Sequence, residues 1–165
     1  MIELIVLDVD GCLSDGKITY LSTTEEIKSF NVKDGLAITS WIKLGKKVAI
    51  ITGRSSKIVQ KRADELGIEY LFQGVKNKLE KLDELLDNLG LTRENVAAIG
   101  DDLNDYKMLK SVKNSFTPKD GVDEIKEIVD VVLSKNGGDG AVREMIDILI
   151  KEDSKLQKRF KELWI

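Results

Sequence analysis

Three short apolar runs, each ending on a chemically loaded residue, constrain this chain more than any other feature. Leu4–Leu7 runs into Asp8, Val48–Ile51 into Thr52, and Val96–Ile99 into Gly100 and Asp101. Runs of four apolar residues without alternation belong to strands buried on both faces, as in a parallel sheet covered by helices on each side. Weaker runs at Glu69–Phe72, Asn114–Thr117 and Val131–Leu133 supply further strands. Amphipathic stretches lie between them. Leu36 to Leu44 precedes Gly45, Ile58 to Leu66 precedes Gly67, and Leu79 to Leu89 precedes Gly90, each glycine standing where a helix stops. Strand and helix in alternation predict an α/β fold, a doubly wound parallel sheet with right-handed crossovers. One stretch breaks the rhythm. Gly16–Asn31 carries Ile18, Thr19 and Tyr20, then Ile27 and Phe30, around a polar Ser22–Glu25 turn, and predicts a hairpin inserted after the first strand. No internal repeat or low-complexity linker interrupts the 165 residues, so residues 1–165 are expected to form a single domain.

Composition removes several classes of chemistry. The chain has no histidine, which excludes Ser-His-Asp and Cys-His catalysis and histidine-held zinc. Cys12 is the single cysteine, so no internal disulfide forms and a reducing compartment suits the chain. With 26 Lys and Arg against 29 Asp and Glu, the net charge is −3, which is no footprint for nucleic acid. The first residues lack the basic start and cleavage site of a signal peptide, and no apolar run approaches the roughly 20 residues a membrane helix needs. A soluble cytoplasmic protein, with neither nucleic acid nor membrane as partner, is the expectation. Its chemistry must run on carboxylates, lysine, arginine, hydroxyls and backbone.

In an open α/β sheet, ligands bind beyond the carboxyl ends of the strands. Residues that follow the apolar runs therefore converge. Asp8 and Asp10 follow the first; Thr52, Gly53 and Arg54 the second; Asp101, Asp102 and then Asp105 the third. A lone aspartate after a strand is most simply a helix cap. Carboxylates crowded at two strand ends instead repel one another, and a divalent cation resolves the repulsion. Oxygen ligands without histidine or thiolate select Mg²⁺, which characteristically also holds a phosphate oxygen. The expected chemistry is metal-dependent phosphoryl transfer.

At this point the motifs match a known family. Asp8-Val9-Asp10-Gly11-Cys12-Leu13 resembles the first motif of haloacid-dehalogenase-type phosphatases. Thr52-Gly53-Arg54 is similar to the second, Lys78 stands where the third falls, and Gly100-Asp101-Asp102-Leu103-Asn104-Asp105 resembles the fourth. The resemblance implies a Rossmann-like core and a set of roles. Asp8 is the nucleophile that forms an aspartyl-phosphate, and Asp10 the general acid and then base. Thr52 bonds a phosphoryl oxygen, and Lys78 neutralises phosphate charge. Mg²⁺ is held by Asp8, the backbone carbonyl of Asp10, Asp101 and Asp102. Asp105 either caps a helix or supports Lys78. Cys12 reads as a small packing residue rather than a nucleophile.

Further segments resemble one capless branch, the 3-deoxy-D-manno-octulosonate 8-phosphate phosphatases of lipopolysaccharide biosynthesis. These are Leu13–Ile18, Phe30–Gly35, Tyr70–Gly74 and Gly137–Glu144. The hairpin stands in place of a cap domain. The substrate implied is a sugar-acid phosphate, either this one or a sialic-acid-like 9-phosphate. Lys33, Arg54 and Arg143 are sensible partners for its carboxylate, although Arg54 serves equally to pair with an acid. A receiver-type phosphoacceptor domain is the alternative from a different class. There the phosphorylated aspartate follows a later strand than the acidic pair, whereas here the candidate nucleophile follows the first. A non-catalytic interaction subunit would not need Asp10. Ile18, Tyr20, Leu21, Ile27 and Phe30 give the hairpin more apolar surface than a free flap should expose. A homotetramer is expected, the number coming from the resemblance. Leu156, Phe160, Leu163 and Trp164 form a helical stripe that docks either on this chain or on a neighbour.

Overall fold

The computed structural model describes residues 1–23 and 25–165; Thr24, in the expected hairpin turn, lies outside the described residues. The chain begins with β1 (Leu4–Leu7), a tight turn over Val9–Leu13, and a hairpin of β2 (Thr19–Tyr20) and β3 (Glu26–Ile27). Then follow α1 (Val32–Lys43), β4 (Lys47–Ile51), α2 (Lys57–Leu66), β5 (Tyr70–Phe72), α3 (Lys78–Leu89) and β6 (Val96–Ile99). The last third comprises α4 (Tyr106–Leu109), β7 (Asn114–Thr117), α5 (Asp123–Lys126), β8 (Val131–Val132), α6 (Ala141–Glu152) and α7 (Ser154–Trp164).

Six strands form one parallel sheet in the order β5-β4-β1-β6-β7-β8. The chain winds from β1 to one side through β4 and β5, then crosses to the other through β6, β7 and β8. β1 is therefore central, and the switch point lies at its carboxyl end. Period-two alternation splits each strand between two cores. Ile5 and Leu7 face Ile38, Trp41, Met145 and Ile146 of α1 and α6, while Leu4 and Val6 face the layer that holds Leu82, Leu86 and Met108 of α3 and α4. All four β1 side chains are fully buried. That two-sided burial is the physical origin of the unalternating apolar runs.

The predicted elements stand with small shifts at their ends. β4 starts one residue early at Lys47, β5 omits Glu69, and β8 omits Leu133. The hairpin is present but pairs only Thr19 with Ile27 and Tyr20 with Glu26. Ile18, Tyr20, Leu21 and Ile27 are exposed on it as expected. Phe30 is a correction: it turns inward, packs on the larger core and lies beneath the Arg62 guanidinium. The stripe on α7 docks on its own chain in part, with Leu163 and much of Trp164 left exposed. Leu156 is buried, Phe160 packs on the core, and the Trp164 indole N–H donates to Ser40 Oγ at 3.0 Å.

α1 and α6 are tied together by Asp34. Its carboxylate is 1% exposed and accepts from the Arg143 backbone N–H at 2.8 Å, in the first turn of α6. Oδ2 finds no hydrogen-bond partner among the described residues. Burial raises its pKa to about 6, against opposing bonds from the α6 backbone. The folded state therefore holds a proton that the unfolded chain has lost between pH 3.8 and about 6, so this group's contribution to stability falls as pH rises through that window. Urea midpoints taken across it should decline less for Asp34→Asn than for the parent chain. Parallel pH profiles would contradict the assignment.

Candidate active site

The site is built where β1, β4 and β6 end. After Leu7 the chain turns through Gly11, whose φ of +91° is open to glycine and few other residues. A Cβ on Gly11 would also stand 2.0 Å from Asp101 Oδ2, so the motif must pass directly under that carboxylate. Gly137 presses on the other side of the same turn, where a Cβ would meet the Gly11 carbonyl oxygen at 1.8 Å. The Gly138 N–H donates to the Cys12 carbonyl at 3.0 Å. The glycine-rich segment thus both turns the chain before α6 and braces the loop carrying Asp8 and Asp10.

Asp8 is 4% exposed, and its Oδ1 accepts from Lys78 Nζ at 2.7 Å. Lys78 opens α3, a helix capped by the Asn77 side chain, and is 2% exposed. Its ammonium also donates to Asp105 Oδ1 at 2.6 Å, and the other Asp105 oxygen accepts from the Asp101 N–H at 3.2 Å. Asp105 therefore supports Lys78. Burial alone would lower the Lys78 pKa; Asp8 and Asp105 outweigh it and push it up, so the ammonium stays charged. Burial raises Asp8 and takes Asp105 to about 6, with Lys78 opposing both. Asp101 is raised to about 8, first by burial and then by Asp8, Asp105 and Asp102.

Asp8, Asp10, Thr52, Arg54, Asp101 and Asp102 line one cavity of about 250 Å³, together with Gly16, Gly53 and Asn104. Thr52 is buried at the end of β4. Asp102 is exposed and caps the Leu103–Asp105 turn by accepting from the Leu103 N–H at 2.7 Å, so it is a cap as well as a lining residue. A larger cavity of about 630 Å³ lies at the opposite strand ends, lined by Met1, Asn95 and Leu156 among others, and contains none of the strand-end aspartates.

Ligand atoms of Asp8, Cys12 and Asp101 lie within 4.8 Å of one another. Burial, then Asp8 and Asp101, raises the Cys12 thiol pKa well above its ordinary value, which favours the neutral thiol, a poor partner for a hard cation. What remains is two crowded carboxylates facing a polar cavity. That donor set fits a hard divalent cation that keeps much of its water.

Two expected substrate ligands are not brought here. Lys33 and Arg143 line a separate cavity of about 410 Å³ with Asn31, Lys135 and Asp147. Lys33 is exposed on the first turn of α1, and Arg143 Nε is held by Asp147 at 2.9 Å, one turn along α6. Arg54 does reach the site, with Nη2 3.2 Å from Glu26 and Nε 3.8 Å from Asp10. Two residues escaped the sequence reading. Glu26 and Lys28 come from the hairpin, and Lys28 Nζ lies 2.5 Å from Asp10 Oδ1. Their signal was the alternation Glu26-Ile27-Lys28, which puts both charges on one face of β3.

A family model for haloacid dehalogenase-like hydrolases matches residues 71–146, and the chain belongs to that family. More narrowly, it is 43% identical over 157 residues to 3-deoxy-D-manno-octulosonate 8-phosphate phosphatase KdsC of Escherichia coli K12, covering 95% of this chain and 84% of that protein. The fold matches the crystal structure of the 3-deoxy-D-manno-octulosonate 8-phosphate phosphatase from Moraxella catarrhalis in complex with magnesium, phosphate and KDO. There the TM-score is 0.94 and the identity 39%, over 98% of this chain and 93% of that one. It also matches the cobalt-bound phosphatase of Haemophilus influenzae, with a TM-score of 0.87 and 39% identity, over 91% of this chain and 88% of that one.

Lys78→Met should destabilise the protein by about 3–5 kcal/mol at neutral pH, because it strands two buried carboxylates around an apolar side chain. Denaturant unfolding measures this, and a loss below about 1 kcal/mol would contradict a buried ion triad.

Proposed function

We propose that this chain is a Mg²⁺-dependent phosphomonoesterase acting on 3-deoxy-D-manno-octulosonate 8-phosphate through an aspartyl-phosphate on Asp8. The observation that carries it is the pair Asp8 and Asp10, two residues apart at the end of the central strand, facing one cavity with Thr52 and Asp101. In the first step an Asp8 oxygen bonds to phosphorus and the ester P–O bond breaks, while Asp10 gives its proton to the departing alkoxide. In the second, Asp10 takes a proton from water as the water oxygen attacks the aspartyl-phosphate, which returns Asp8 and releases phosphate. The Thr52 hydroxyl holds a phosphoryl oxygen through both steps, and the Lys78 ammonium, 2.7 Å from Asp8 Oδ1, steadies the nucleophile and offsets charge there. Asp8, Asp101 and the Asp10 carbonyl would hold Mg²⁺, with Asp102 acting directly or through water; the ion neutralises phosphate charge. Arg54, on the cavity wall, is the cation we assign to the sugar-acid carboxylate. The sequence relationship to the phosphatases supports this substrate, and the placement of Asp10 favours turnover over a single phosphoacceptor event.

The assembly belongs to the same reading. Ile18, Tyr20, Leu21 and Ile27 are 37–65% exposed on a hairpin of two residue pairs, too small to stand alone. We propose that hairpins of four copies pack together and bury these side chains, covering the mouth that a cap domain would otherwise cover. No helix among the described residues is long and apolar enough to cross a membrane, and a cytoplasmic location accords with the single buried, reduced cysteine.

Phosphate release from 3-deoxy-D-manno-octulosonate 8-phosphate should exceed that from a nine-carbon acid phosphate and from neutral sugar phosphates in kcat/KM. It should disappear on chelation and in Asp8→Asn, and fall at least about 100-fold in Asp10→Asn. A neutral sugar phosphate preferred over both acids would overturn the substrate; activity indifferent to chelator or to either substitution would overturn the mechanism. Sedimentation equilibrium should return a tetramer for the parent chain and smaller species for Ile18→Asp and Ile27→Asp. A monomer with full turnover would remove the lid from this account.

A further inference from the structure

The hairpin sends two charged residues inward. Glu26 and Lys28 share a face of β3, opposite the exposed Ile27. The Lys28 side chain is 1% exposed, and its ammonium lies 2.5 Å from Asp10 Oδ1 and 4.0 Å from Glu26 Oε2. Arg54 closes a ring, with Nη2 3.2 Å from Glu26 and Nε 3.8 Å from Asp10 Oδ2. Two acids and two bases make the ring formally neutral. An ammonium this deep is tolerated only when paired, so the seat of Lys28 depends on those two carboxylates.

The ring holds Asp10 at two points. Lys28 engages one carboxylate oxygen and Arg54 approaches the other, which limits both the rotamer and the plane of the group. Asp10 lines the 250 Å³ cavity and Lys28 does not; the ammonium reaches Asp10 from the hairpin side. That placement argues against direct contact with a substrate in the cavity. We propose that Lys28 is a positioning residue, aiming the Asp10 carboxylate at the reacting oxygen and tying that aim to the seating of the hairpin. The inference rests on the reading of Asp10 as acid and base, and deepens it.

The distinction from a substrate ligand is kinetic. A group that binds ester and transition state alike changes KM, whereas one that aims a proton donor changes kcat. Lys28→Met keeps the length and removes the charge; Lys28→Arg keeps the charge. On the sugar-acid phosphate, Lys28→Met should lower kcat on the order of tenfold or more with KM within about twofold, and Lys28→Arg should recover most of the loss. An aryl phosphate with an acidic phenol provides a second readout, because its leaving group departs without a proton. Rapid-mixing traces for Lys28→Met should show phenolate released in the first turnover at a rate within about threefold of the parent, followed by a steady state slowed like kcat. Unchanged kcat, a rise in KM alone, or an equal slowing of first turnover and steady state would overturn the proposal. Circular dichroism and melting of each variant identify a loss that comes from misfolding, and Lys28→Arg then carries the kinetic test: a kcat near the parent supports positioning by charge, and one as low as a neutral residue overturns it. An Asp10→Asn variant as active as the parent would defeat the acid–base reading itself; an inactive Asp10→Asn beside an unimpaired Lys28→Met would defeat only the role of Lys28.

Discussion

A single buried ammonium organises the carboxyl end of this sheet. Lys78 sits between Asp8 and Asp105 at 2.7 and 2.6 Å, and all three side chains are almost fully removed from water. Without the lysine, two carboxylates would be buried with no counter-charge, beside Asp101. With it, Asp8, Asp101 and Asp105 still outnumber Lys78, and burial first, then these neighbouring carboxylates, raise the Asp101 pKa to about 8. A structural ion network would have been closed with another cation. Here the deficit opens onto a cavity, where a divalent ion would complete it.

Close backbone approach makes that arrangement fit. Asp101 lies against the face of Gly11, Gly137 against the back of the same turn, and Asp105 against Gly100, where a Cβ would meet the Asp105 carboxylate at 2.4–2.6 Å. Gly137 thus meets the Gly11 main chain directly, while the Asp101 and Asp105 carboxylates fill the space that a Cβ would take at Gly11 and Gly100. The packing limits how far the Asp101 carboxylate can move from the loop that carries Asp8. It also explains why the loop at Gly137 and Gly138 belongs to the active-site architecture although it contributes no group to the cavity.

The legible part of the structure was whatever depends on local pattern. β1 and β6 were legible to the residue and β4 to within one residue, because burial on both faces writes an unbroken apolar run, and Asp8, Thr52 and Asp101 followed from standing at or just past the ends of those runs. Lys78 was legible only through family resemblance. Its position depends on the cap at Asn77 and on a helix packing against the sheet, which no short-range pattern encodes. Lys33 and Arg143 had suitable charge, but the helix faces that carry them point to another cavity, and direction on a helix depends on packing. Phe30 was assigned to the surface of the hairpin, although the chain there has already turned toward α1. Lys28 was overlooked because β3 is two residues long, and a lysine just past its end looks like any solvated lysine until the strand is seen folded against Asp10.

The two faces of the hairpin have opposite physical requirements. Its outer side presents Ile27 to water, where only burial against another surface stabilises it. Its inner side presents Glu26 and Lys28 to Asp10 and Arg54, where the ion ring depends on exclusion of water to keep its strength. A hairpin paired through two residue pairs cannot hold such a ring closed by its own backbone, since isolated hairpins of this size are marginal. Pressure on the outer face would therefore be felt at the inner one. In that arrangement, burial of the apolar side chains and alignment of the group that moves the proton become one event. A flap covered in that way would serve in place of a cap domain, seating the charges that hold Asp10 as it closes the mouth.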